Sequence, residues 1–141
     1  MTRRLPAEVD RVFRRLPEAQ KAELLVVRDL IFEVAAERRV GRVTETLKWG
    51  EPAYLTQVSK AGSTIRLGIT KSTPGRCAVF FSCNTTLIAE FRTRFSDSFS
   101  FDGNRALILP SDGSWSRIGL AMCLGEALTY HRRKLHNRPA T

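Results

Sequence analysis

Over the first forty residues apolar side chains recur with helical spacing. Val9, Val12, Phe13 and Leu16 stand at i, i+3, i+4 and i+7, which puts them on one face of a first helix. Leu24, Val27, Ile31, Val34 and Ala35 line a second, longer helix. Val26, Leu30 and Phe32 widen its stripe, so it is expected to be buried on more than one side. Leu5-Pro6-Ala7-Glu8 and Leu16-Pro17-Glu18 open the two helices alike. Proline loses nothing where the first turn needs no N–H, and a carboxylate close behind favours the positive end of the dipole. Gly41 is expected to stop the second helix.

From residue 53 the period changes to two. Thr64-Ile65-Arg66-Leu67-Gly68-Ile69 alternates apolar and polar, the mark of a strand with one wet face. Residues 53–59 are expected to pair with it through a turn at Lys60–Ser63. After a second turn at Lys71–Arg76, Cys77–Phe81 is apolar on both parities and so belongs nearer the middle of the sheet. Asn84 can cap a short helix carrying Ile88, Phe91 and Phe95. Phe99 and Phe101 resume strand periodicity, and Asp102-Gly103 turns the chain back through Arg105 to Leu109. Ser114 or Ser116 caps a final amphipathic helix running to about Leu135. The order is ααβββαββα. It predicts an α+β fold, a mainly antiparallel five-stranded sheet with helices packed on one face, forming a single domain over residues 1–141.

Composition adds one anomaly. The chain carries 23 Lys and Arg against 14 Asp and Glu, a formal charge of +9, and 18 of the 23 are Arg. By segment the charge is +3 over residues 1–15, +2 over 16–130 and +4 over 131–141, so short basic tails flank a nearly neutral body. Arg14-Arg15, Arg38-Arg39 and Arg132-Arg133-Lys134 all fall in the last turn of an expected helix, where cations complement the dipole and bond the last carbonyls. No helix-turn-helix, zinc-finger or RNA-recognition pattern accompanies them, so nucleic acid is an unlikely partner except through the tails. Neither a signal-peptide pattern nor an apolar run of about 20 residues is present, so a cytoplasmic location without a membrane partner is expected. Cys77, Cys83 and Cys123 lack C-x-x-C spacing and sit among apolar neighbours, which reads as buried, reduced thiols; Cys83, just before a helix start, is the least secure.

The linear motifs of catalysis are missing. There is no G-x-S-x-G, no phosphate-cradling or dinucleotide loop, and the two histidines, His131 and His136, are five apart near a helix end. The chain is therefore expected to be non-enzymatic, without a cofactor. Asp29, Glu33 and Glu37 align three carboxylates on one face of the second helix and form the one metal alternative, although a ladder alone supplies few of the roughly 6 oxygens a hard cation wants. The most specific stretch is Thr46-Leu47-Lys48-Trp49-Gly50-Glu51-Pro52-Ala53-Tyr54, which crowds Trp, Tyr, Lys and Glu around an expected Gly-x-Pro bend at Gly50–Pro52. An aromatic plate beside charged groups is what small-ligand recognition needs, and Lys48, Trp49, Glu51 and Tyr54, with Arg66 on the wet strand, are the candidate ligand-binding residues. The competing reading has Trp49 and Tyr54 wedging the second helix against the first strand. Trp115, beside a helix start, reads as a packing anchor.

Val9-Asp10 with Leu16-Pro17, Arg28-Asp29-Leu30-Ile31 and above all Glu45-Thr46-Leu47-Lys48-Trp49-Gly50-Glu51-Pro52-Ala53-Tyr54 resemble the YdhG-like family, a domain of unknown function, over roughly residues 9–110. The resemblance implies a small cytosolic α+β domain of the same element order and no particular chemistry. Some members are labelled iron chaperones by analogy with frataxin, a function that depends on an acidic ridge; here the pI is about 10.3 and the carboxylates are scattered. The expectation is a ligand-binding or accessory protein whose partner is a small molecule or a protein, with a second copy of the chain, in a homodimer, among the candidate partners. Frataxin-like iron handling and nucleic-acid binding through the tails are its alternatives.

Overall fold

Helix α1 spans Ala7–Arg14 and α2 spans Glu18–Glu37, with Pro6 and Pro17 at their N-caps. The computed structural model describes residues 3–71 and 75–136, without the side chain of His136. Part of the expected turn at 71–76 and the last five residues of the basic tail lie outside the described residues. Helix α2 stops before Gly41. Arg39 takes the left-handed position (φ 53°), and the amides of Arg39 and Val40 return to the carbonyls of Ala36 and Ala35 at 3.2 Å each, a Schellman motif with Arg in glycine's usual place.

The described residues form six strands, one more than expected: β1 Thr44–Lys48, β2 Glu51–Leu55, β3 Ile65–Ile69, β4 Cys77–Phe81, β5 Ser100–Asp102 and β6 Ala106–Ile108. They make one sheet in the order β1-β2-β3-β4-β6-β5, and every neighbouring pair is antiparallel. The additional strand is β1, which with β2 makes a hairpin of the stretch read above as a bend. Lys48 faces Glu51, and the two-residue loop Trp49-Gly50 has positive φ at both positions, 55° and 77°, as a type I′ turn requires. Lys48–Glu51 closes the loop, so the next pair, Leu47–Pro52, is a non-hydrogen-bonded one and the Pro52 nitrogen faces away from β1. On that other side β2 pairs with β3 only at Ala53 and Tyr54, so a residue without an N–H interrupts no ladder there.

Between β4 and β5 lies α3, Leu87–Phe95, whose N-cap is Thr86 and not Asn84. The expected final helix is two: α4, Arg117–Leu128, capped by the Ser116 hydroxyl accepting from the Gly119 amide, and α5, Tyr130–His136. The break follows from the β2–β3 connection. The Ser63 amide takes the Ala127 carbonyl at 2.8 Å, and the Arg132 amide donates to the Ala61 carbonyl at 2.9 Å, so loop bonds replace two helical ones. A Cβ at Gly62 would collide with the Leu128 carbonyl, so glycine is what lets the loop come this close. No helix among the described residues is long and apolar enough to cross a membrane.

Alternation along the strands sends Tyr54, Ile65, Leu67, Val79, Phe81 and Leu107 into one core with Val9, Phe13, Leu24, Val27, Ile31, Phe91, Leu120, Leu124 and Leu128 of the helices. Cys77 and Cys123 are buried as expected. Cys83 is exposed, because α3 begins four residues later and leaves it in an open turn. Trp115 packs against the core, with its ring N–H donated to Glu23 at 3.0 Å.

One polar group penetrates this core. The Arg28 guanidinium, wholly buried on α2, grips the Glu45 carboxylate of β1 through Nε at 2.5 Å and Nη2 at 2.8 Å. Its remaining donors reach the carbonyls of Arg3 (2.7 Å) and Arg4 (3.2 Å), and the Tyr54 hydroxyl donates to the same carboxylate at 2.9 Å. The Phe32 ring lies edge-on to Tyr54 and beneath Arg28 and Arg3. The Glu45 hydrogen bond pushes the Arg28 pKa further up, and burial followed by the Glu45 charge does the same to Tyr54, so the guanidinium is charged and the phenol neutral at any physiological pH. Arg28→Met would strand the buried carboxylate and is expected to cost about 3–5 kcal/mol, against about 1.5–3 kcal/mol for Tyr54→Phe, measured by urea unfolding. Equal losses for the two would show that the ion pair does not dominate.

Candidate functional site

The helix-covered face takes every second residue of the sheet, and the alternate residues form a face that no helix among the described residues covers. Its middle is built from small side chains, Ala53, Gly68, Ala78 and Ala106, with the three alanines at most 4% exposed. Larger residues stand around them and, together with Ala106, line a groove of about 1460 Å³. Lys48 and Trp49 lie at one end, on the β1–β2 hairpin; Glu51, Arg66 and Phe80 lie along it; Asp102 and Arg105 close the other end on the β5–β6 hairpin. Lys71, Cys83, Asn84 and His131 complete the rim.

Arg66 pairs with Phe80 across β3 and β4, which sets its guanidinium 5.4 Å from the ring centre. It also donates from Nη1 to Glu51 Oε1. The other Glu51 oxygen lies over Gly68, in the space a side chain there would fill. Burial raises the Glu51 pKa above the usual carboxylate range; Arg66 opposes this most strongly, and Arg105 and Lys71 add to it. Three cations thus face one carboxylate. The side chains of Lys48 and Arg105 make no hydrogen bond or ion pair among the described residues, and with Arg66 and Lys71 they give the groove more positive charge than Glu51 and Asp102 offset.

Four of the five residues proposed from sequence, Lys48, Trp49, Glu51 and Arg66, line this one groove. Tyr54 does not. It is 0% exposed on the opposite face, bonded to Glu45, because its parity along β2 is opposite to that of Glu51. The two aromatics of the stretch therefore part company: the wedge reading holds for Tyr54 and fails for Trp49, which is 89% exposed at the hairpin tip. Phe80, Lys71, Asp102 and Arg105 were missed. Pairing the wet parity of 64–69 against Cys77–Phe81 would have placed Phe80 beside Arg66, but Lys71 and Arg105 sit in turns, and Asp102 at the last position of the short β5, where periodicity encodes no direction.

The carboxylate ladder on α2 does not make a metal site. Asp29, Glu33 and Glu37 point outward; Asp29 lies 3.9 Å from Arg28, and Glu33 accepts from Arg117 at 2.7 Å. No three His, Cys, Asp or Glu among the described residues converge as ligands. His131 is exposed on the groove rim, and the His136 side chain lies outside the described residues.

The tight interlock of Glu51 with its cations can be read directly. Arg66→Gln removes the strongest opposing influence and should move the Glu51 titration midpoint upward, followed by carboxyl 13C shifts against pH. Its folded pKa exceeds the unfolded value, so Glu51 contributes stability below pH 4.5 that is lost as pH rises through the folded pKa, and the variant should deepen that loss. An unmoved midpoint would mean that Arg66 and Glu51 are not paired in solution. Compared with protein-family models, with curated proteins and with solved structures, the chain has no match in any of the three.

Proposed function

We propose that this protein is a non-enzymatic binding domain that holds a small organic anion in the groove on the open face of its sheet. The observation that carries the reading is Trp49. A β-turn residue with φ near 55° is ordinarily Asn, Asp or Gly, and a bulky side chain there costs about 1–2 kcal/mol. An indole 89% exposed to water gains nothing from the core in return. A residue that strains the backbone and exposes apolar surface at the mouth of a groove supports a ligand contact there, since the fold alone would favour a different residue. The surplus cations beside it select for negative charge, and Phe80 supplies a second flat surface.

Of the three cysteines only Cys83 lines the groove. Burial pushes the Cys123 thiol up to about 12 and the Cys77 thiol higher still, and both lie in the core away from the groove.

The reading has a two-sided test in Trp49→Asn. Asn-Gly is the preferred type I′ pair, so the variant should be more stable, by about 0.5–1 kcal/mol in thermal or urea unfolding. Native mass spectrometry of the protein purified from cells should show a small-molecule adduct on the parent chain and none on the variant. A variant that is less stable, or an adduct that persists in it, would make Trp49 structural and sink the proposal.

A further inference from the structure

The groove already contains a carboxylate, and its placement identifies what the ligand carries. Glu51 does not project into water as an edge glutamate could. It lies flat over the one glycine of β3, in space that any side chain at 68 would occupy, with Arg66 bonded to it, Lys71 just past the end of β3 and Arg105 on the β5–β6 hairpin adding their positive charge. Lys48, its partner across the hairpin, contributes a further cation, and Asp102 is the other acid lining the groove. Arg66 is the only one of these cations held against an aromatic ring in the floor, with its side chain 19% exposed, so its position is fixed while its anion sits at the end of a rotatable side chain that is 28% exposed. Rotation about the Glu51 side-chain bonds would free Arg66 without moving the backbone of the sheet.

From this we infer that Glu51 is an internal stand-in for the ligand, and that the groove takes a carboxylate attached to a planar ring, which replaces Glu51 on Arg66 and lays its ring against Trp49. This rests on the groove being the binding site, and it adds the ligand class and an intrinsic competitor. The competitor is the informative part. In an ordinary binding site, removing a charged group that touches the ligand weakens binding; here, removing the charge of Glu51 should strengthen it, because the ligand no longer has to displace a tethered anion.

The probes are benzoate and 1-naphthoate, with inorganic phosphate as the arm that separates carboxylate recognition from general anion attraction. Affinities would be measured by NMR titration of the full chain at constant ionic strength. Glu51→Gln should bind the aromatic carboxylates about tenfold more tightly than the parent chain, and Arg66→Gln should abolish binding. In the parent chain, saturating naphthoate should shift the Glu51 carboxyl 13C resonance as the carboxylate leaves Arg66, a measurement that needs no variant. Equal or weaker binding by Glu51→Gln, an unmoved Glu51 resonance, or no binding of either carboxylate at millimolar concentration would each overturn the inference. Phosphate binding as tightly as naphthoate would overturn the ligand class. An adduct in the native mass spectrum that is lost in Trp49→Asn would leave the groove itself standing in any of these cases.

Discussion

The buried contact between Arg28 and Glu45 ties together three parts of the chain that hydrophobic packing alone would leave free to slide. It joins α2 to the edge strand β1, and through the carbonyls of Arg3 and Arg4 it also holds the segment that leads into α1. An edge strand with a single partner has little else to define its position. The directional fork of a guanidinium on a carboxylate fixes β1 to within hydrogen-bond tolerance where greasy contacts would allow several registers. The placement of β1 in turn sets the hairpin turn and, at its tip, Trp49. The core network thus aims the groove from behind.

A ten-residue stretch serves both purposes by alternation. Glu45, Leu47, Pro52 and Tyr54 face the helices; Lys48 and Glu51 face the groove; Trp49 and Gly50 join the two strands. This explains why the stretch is so distinctive in the sequence and why its meaning was only half legible there. Helix positions, the wet face of 64–69, the central strand and the Ser116 cap all follow from periodicity and capping chemistry. The β1–β2 hairpin did not, because tryptophan at the first turn position is off the usual menu and proline in a strand argues against one. Reading a bend there put Tyr54 beside Trp49, when strand parity places them on opposite sides of the sheet. The single-helix reading of 116–135 failed for a non-local reason, since the groups that take its backbone bonds lie near residue 62.

The arginine content gains a meaning that charge counting could not supply. Of the clusters expected at helix ends, Arg14 lies in the last turn of α1 and Arg133 and Lys134 lie within the last four residues of α5, whereas the last turn of α2 holds no basic residue. Arginines instead close carbonyls across space: Arg76 on Leu109, Arg92 on Gly103, Arg133 on Glu126, and Arg132 on Arg38 and Arg39 at the end of α2. A planar fork with five donors suits chain ends and loop corners that have carbonyls to satisfy, which lysine's point charge does less well. Several of the arginines are therefore fasteners on neutral carbonyls, with Arg133 adding an ion pair to the Glu126 carboxylate.

The exchange of backbone bonds between the 61–63 loop and the α4–α5 junction has a dynamic corollary. Neither segment can leave its place without orphaning amides or carbonyls of the other, so the two form one cooperative opening unit rather than two fraying ends. His131 rides on that unit at the groove rim, and Gly62 and Ser63 line the same rim. The last helix, remote from the groove in sequence, is thereby the part of the molecule whose local unfolding would change the groove's outline first.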